Sequence, residues 1–301
     1  GYAMIDSETK NEKAMGEKLV EDLKALGLEV KTDKAGEGFG SNGFNVCAYL
    51  PGTIPGEPTI MCAHMDTVTP GNGIKPLIDD GIIHTDGSTI LSGDDKSGIA
   101  AIMEAVKVIK EQNLPCRNTE ILFTIGEEGG MNGVKNMDLS MIKGKEAMVF
   151  DASGDVGKIL TCGPGQIKIF ATIIGRSSHA GLAPEEGISA IQVAAKGIAK
   201  MNLLRIDEET TCNIGTLKAE FVAEVRSRNL DKLNAQAAHM QKCLQDACDE
   251  MGAKLEIELK TNYVSFNVAN DDPMVQRVFE SCKRIGCEPM TAKGGGGSDA
   301  N

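Results

Sequence analysis

At 301 residues the chain is long enough for about two domains, each on the order of 100–200 residues. Its 31 basic and 43 acidic residues leave a net charge of −12, which repels phosphate backbones and anionic headgroups and so excludes nucleic acid and membrane surfaces as natural partners. No apolar stretch approaches the ~20 residues needed to span a bilayer and no signal-peptide pattern opens the sequence, so a cytoplasmic location is expected.

Read in chain order, apolar residues at Met15, Leu19, Leu23 and Leu26 among charged ones predict an amphipathic helix over Thr9–Gly27 with a glycine stop. Short apolar runs at Asn45–Leu50 and Thr59–Ala63 predict strands, the second running into His64 and Asp66. A helix is predicted over Lys96–Ile109, then strands at Glu120–Ile125 and Ala147–Phe150. Strands alternating with helical patterns imply parallel pairing, with helices on both faces of an α/β sheet. From Gln166 to Tyr263 the rhythm changes to strand, helix, two strands, helix, strand, which is the β-α-β-β-α-β order of a ferredoxin-like α+β domain. A final helix is predicted over Pro273–Ile285 before the glycine run at Gly294–Gly297. The domain reading is therefore 1–165 with 264–301 for the main body and 166–263 for an inserted domain.

Nine cysteines suit free thiols in a reducing compartment, and the five-residue spacings of Cys243/Cys248 and Cys282/Cys287 are wrong for a structural zinc site. Four polar clusters, however, fall directly after predicted strands or at a helix start: His64-Met-Asp66, Asp94-Asp95, Glu127-Glu128 and Asp151. Loops at the carboxyl ends of strands in an open α/β sheet converge on one crevice, so these residues should meet. One histidine with several carboxylates suits zinc, or less often manganese or cobalt. Of two adjacent glutamates, one can bind metal while its neighbour takes a proton from water. Each cluster alone reads more readily as a core histidine, a helix cap or a solvated loop. Four at corresponding ends of four elements are hard to assign to coincidence.

Together, Ala63-His-Met-Asp-Thr-Val68, Ser92-Gly-Asp-Asp-Lys-Ser-Gly98, Thr124-Ile-Gly-Glu-Glu-Gly129, Phe150-Asp151, Gly175-Arg-Ser-Ser-His-Ala-Gly181 and Gly295-Gly-Gly-Ser-Asp-Ala-Asn301 resemble metallopeptidase family twenty. That family includes peptidase T, aminoacylase and glutamate-releasing carboxypeptidases. The resemblance implies two zinc ions per subunit, with His64 and Asp151 on one, Asp94 shared and Glu128 on the other. It makes Glu127 the general base, Asp66 the partner of His64, and His179 a group that reaches the substrate carbonyl. Arg226, with Arg228 as the competing candidate, resembles the arginine that pairs with a substrate carboxylate. Asn213, Gly296, Gly297 and Ser298 complete the substrate-contacting candidates, whereas His84 and His239 are assigned to structure.

Aspartate at 151, Ile5-Asp-Ser-Glu-Thr9 and the terminal glycine loop look most like peptidase T-like members. The expected activity is removal of the N-terminal residue from short peptides, and the inserted domain is a candidate homodimer surface by analogy. An N-acyl amino acid or dipeptide amidohydrolase would share the same metal ligands, and a non-catalytic metal-binding relative would have no need of Glu127. The family pattern also includes a last zinc-binding histidine beyond the glycine loop and a longer loop between Glu220 and Phe221. Both are expected in the natural protein, and an intact mass matching 301 residues would refute that.

Overall fold

The computed structural model describes residues 1–178, 183–217 and 220–301. The chain forms two compact units, Gly1–Gly154 with Ser298–Ala300 and Asp155–Gly297 with Asn301. In the first unit the elements are α1 (Lys13–Ala25), β1 (Glu29–Thr32), β2 (Val46–Leu50), β3 (Ile54–His64), β4 (Leu77–Asp79), β5 (Ile82–His84), α2 (Gly93–Gln112), β6 (Arg117–Thr124), α3 (Asn132–Lys135) and β7 (Glu146–Val149). Five strands form one sheet in the order β1-β2-β6-β3-β7, and β4 pairs with β5 as a separate hairpin.

β3 runs parallel to both β6 and β7, as the alternating pattern predicts. β2 is antiparallel to both of its neighbours, β1 and β6. The reason is local: the link from β1 to β2 holds only a short 3₁₀ turn at Ala35–Gly38, and without a crossover helix the chain returns antiparallel. Apolar residues at helical spacing bury Met15, Leu19 and Leu23 of α1 and Ile99, Ile102, Met103 and Val106 of α2. These pack with Val46, Ala48, Leu50, Ala63, Ile121 and Phe123 of the sheet. The alternate residues Ile60, Cys62 and Leu122 face the other way, against Met137, Ile142 and Val149. α1 begins at Lys13 rather than at Thr9, because Lys10 has a left-handed φ of +78° that a helix running through it would not allow.

The second unit holds β8 (Lys158–Gly163), β9 (Gly165–Ile174), α4 (Ala190–Ile198), β10 (Leu204–Arg205), β11 (Thr210–Leu217), β12 (Glu220–Ser227), α5 (Leu230–Met251), β13 (Lys254–Tyr263), β14 (Phe266–Asn267), α6 (Pro273–Arg284) and β15 (Met290–Lys293). The antiparallel sheet β10-β11-β12-β9-β13 is backed by α4 and α5. Its β9-α4-β11-β12-α5-β13 path is the expected ferredoxin-like order. Ser189 caps α4 by accepting the Gln192 N–H, which sets where that helix starts. A three-stranded sheet, β14-β8-β15, was not foreseen from the sequence. All nine cysteines are free thiols, and Cys47, Cys62, Cys212 and Cys248 are among the buried ones. No helix among the described residues is long and apolar enough to cross a membrane.

Candidate active site

β3 and β6 run in parallel register, with Ala63 opposite Phe123 and His64 opposite Thr124. Both strands therefore end at one level, and the loops carrying Asp66 and Glu127-Glu128 leave side by side. His64 is 2 % exposed. Its Nδ1 lies 2.9 Å from the main-chain oxygen of Asp66 and 3.5 Å from the Asp66 carboxylate. A carbonyl can only accept, so Nδ1 carries a proton and Nε2 is the nitrogen turned toward the acids. Nε2 lies 2.9 Å from Asp94 Oδ1 and 3.9 Å from Asp151 Oδ1. Burial opposes a charged imidazole, but the carboxylates of Asp66, Asp94 and Asp151 outweigh it and push the His64 pKa up to about 12.

Asp94 and Asp95 open α2, joined by a cis peptide, and their side chains have different surroundings. The Asp94 carboxyl is largely exposed and is held below the usual carboxylate range, chiefly by its hydrogen bond with His64. Asp95 is buried, accepts the His64 backbone N–H at 3.3 Å, and is pushed up to about 8 by desolvation, with the Asp151 and Asp94 charges adding to it. Desolvation also raises Asp151 to about 7. Glu127 rises to about 8 through burial and then the nearby Asp299 charge, and Glu128 rises by burial. Asp66 is fully buried and accepts the N–H groups of Glu127 and Glu128 and the Thr9 hydroxyl.

Ligand atoms of His64, Asp94 and Glu128 lie within 4.8 Å of one another, and so do those of His64, Asp95 and Asp151. The first unit thus brings together every metal-binding residue expected from the sequence, along with Glu127 and Asp66. Asp95 and Asp299 also belong to the cluster, although sequence reasoning assigned neither a role. The Asp299 carboxyl bonds the Thr124 hydroxyl, and burial raises its pKa to about 6. The signals for both were present, one in the aspartate doublet and the other in the glycine-rich terminal motif.

The remaining candidates have other settings. His179 lies outside the described residues. Arg226 and Asn213 stand on β12 and β11 of the second unit, where the Arg226 guanidinium reaches Glu224 at 3.4 Å and exposed Asn213 is opposite Glu224 in register. Arg228 bonds the Glu208 carbonyl. Among the described residues nothing lies within 4 Å of a Cβ placed on Gly296, whereas a Cβ on Gly297 would come within 2.5 Å of the Tyr263 ring. Ser298 Oγ accepts the Ala300 N–H. His84 sits in the β4-β5 hairpin, bonded to Asp79, and His239 lies beside Cys243 on α5.

An imidazole ringed by carboxyls at the carboxyl ends of parallel strands, beside a further half-buried carboxyl that can accept a proton, defines a hydrolase. Residues 60–301 match Peptidase family M20/M25/M40, and the chain belongs to that family. It is 40% identical over 308 residues to the uncharacterised protein YqjE of Bacillus subtilis, covering 99% of this chain and 83% of that one. Among solved structures it resembles the aminopeptidase PepT of Bacillus cereus, with 42% identity, a TM-score of 0.90 and coverage of 100% of this chain and 84% of that one. It also resembles a tripeptidase of Staphylococcus aureus, with 37% identity, a TM-score of 0.94 and coverage of 99% and 83%.

Proposed function

We propose that this peptidase is a two-metal aminopeptidase that removes the N-terminal residue of short peptides, tripeptides foremost. The observation that carries the reading is a pair of ligand groups that share His64, one with Asp94 and Glu128 and the other with Asp95 and Asp151, beside Glu127. Its similarity to an aminopeptidase and a tripeptidase supports the substrate class. Residues 1–165 and 264–301 form the catalytic domain in this reading, and 166–263 the inserted one.

The donor set fits divalent cations. Burial and mutual repulsion oppose ionisation of Asp95, Asp151 and Glu127, a charge pattern that positive ions relieve. His64 and Asp151 would hold one zinc ion, Asp94 would bridge and Glu128 would hold the second. Bound there, the ions supply Lewis acidity toward the peptide carbonyl and make water acidic enough to lose a proton near neutrality. Glu127 accepts that proton and delivers it to the departing amine nitrogen, which makes it the general base and then the general acid. Asp66 orients both halves of the site: its main-chain oxygen holds His64 Nδ1, while its carboxylate holds the Glu127 and Glu128 N–H groups. In this reading Arg226 or Arg228, Asn213, His179 and the 296–298 turn serve the substrate, and the enzyme works in the cytoplasm.

The test is mass-spectrometric product analysis of free and N-acetylated dipeptides and tripeptides with zinc-loaded protein, with and without chelator. Chelator-sensitive release of the first residue from free tripeptides alone is the expected result. Cleavage of the acetylated peptides would replace the reading with an acylase.

A further inference from the structure

The loop after β6 carries both Glu127 and Glu128, and its main chain has unusual partners. β6 ends at Thr124, yet the next four N–H groups are all held, each by a side-chain oxygen. Ile125 donates to Asn45 Oδ1 at 3.1 Å and Gly126 to Glu12 Oε1 at 3.1 Å. Glu127 and Glu128 donate to the two oxygens of Asp66 at 2.9 and 3.2 Å. All three side chains supplying these oxygens are fully buried. Asp66 has a plain role, since it also contacts His64; Glu12 does not.

Glu12 stands immediately before α1, where an acidic residue ordinarily caps its own helix. Its side chain makes no capping bond there. Instead Oε1 accepts the Lys10 N–H at 2.9 Å as well as the Gly126 N–H, and Oε2 accepts the Ser41 hydroxyl at 2.6 Å. A buried carboxylate is costly to packing unless hydrogen bonds satisfy it, so its presence here follows from what it holds. What it holds is the turn at Gly126, whose φ of +62° swings the chain from the strand into the Glu127-Glu128 loop.

We propose that Glu12 is a positioning residue for the hydrolytic base: by binding the Gly126 N–H it fixes the direction in which Glu127 and Glu128 leave the main chain. The proposal rests on the assignment of Glu127 as base. It places a contribution to catalysis in a segment more than a hundred residues away in sequence, on a residue outside both candidate ligand groups.

Two variants and two readouts test it. Glu12→Leu removes every acceptor at nearly the same volume, and Glu12→Gln keeps the Oε1 acceptor. In Glu12→Leu, kcat should fall roughly tenfold to a hundredfold with KM nearly unchanged, as misplacement of a reacting group does. Glu12→Gln should recover most of that loss. Amide hydrogen exchange of the zinc-free full chain is read in parallel: Gly126, Glu127 and Glu128 should exchange about tenfold faster in Glu12→Leu, while the α2 amides stay unchanged. A folded Glu12→Leu protein with unaltered kcat, or with unaltered protection at 126–128, overturns the proposal. Should Glu12→Leu fail to fold, the unmodified protein decides: exchange of the 126–128 amides at open-loop rates overturns the proposal, and strong protection that weakens in Ser41→Ala supports it. If the unmodified protein hydrolyses no peptide, the aminopeptidase reading fails, and the exchange pattern alone shows whether Glu12 holds the loop.

Discussion

Glu127 is a half-buried acid among acids, with Asp299, Asp151 and Asp66 all opposing its ionisation. Glu127→Gln keeps its shape and removes its capacity to take a proton. Loss of about 10²–10⁴-fold in kcat is expected, with zinc affinity in a chelator-competition assay left close to that of the unmodified protein. Gly126 makes a second prediction at this scale. Its positive φ costs a side chain roughly 1–2 kcal/mol, and an added Cβ would also lie 2.7 Å from the Phe39 ring. Gly126→Ala should therefore lower the calorimetric Tm and reduce kcat together, because the same bend aims Glu127. The residues proposed to hold metal, and Glu127, stood out in the sequence because each is a polar residue directly following an apolar run or opening a helix. Glu12 was not, since an acidic residue before a helix looks ordinary until its partner, Gly126, is brought to it by the fold.

Among the elements, β3 carries most of the organisation: it is parallel to β6 and β7, and α2 packs above it. Phe123 of β6 is fully buried between the sheet and that helix layer, so Phe123→Ala should destabilise by about 3–5 kcal/mol in urea unfolding. α2 is tied to the N-terminal segment by Lys96, whose buried Nζ donates to the Ile5 carbonyl at 2.6 Å. Burial pushes the Lys96 pKa down from 10.5 to about 8, against the attraction of Asp6. The folded protein thus sheds this proton at a lower pH than the unfolded chain does. Stability contributed by this group should rise as pH climbs from about 8 towards 10.5, and Lys96→Met should flatten that slope in urea titrations. Long amphipathic elements such as α1, α2 and α5 were readable from periodicity alone. β8, β14 and β15 were not, because β14 is two residues long, β15 is four, and neither has enough alternation to stand out from a loop.

At the scale of the whole molecule, a cluster of mutually repelling acids in the first unit makes cation binding a folding event as well as a catalytic one. Zinc at a thousand times its Kd should add about 4 kcal/mol to stability, visible as a rise in Tm that a chelator reverses. The change of rhythm at Gln166 was visible in the sequence because β-α-β-β-α-β patterning differs from the preceding alternation. The grouping of β8 and β15 with the second unit was not, since it depends on the parallel pairing of strands more than a hundred residues apart. The free thiols give these two units separate clocks. Cys47 and Cys62 lie buried in the first, Cys212 and Cys248 in the second, and desolvation raises all four thiol pKa values. A thiol that is both covered and protonated reacts with an alkylating reagent only when its surroundings open. Timed alkylation followed by peptide mass mapping would therefore report the breathing of each half of the enzyme. Matching rates would mark one cooperative unit, and a slower pair at Cys47 and Cys62 on adding zinc would show the metal closing its own half.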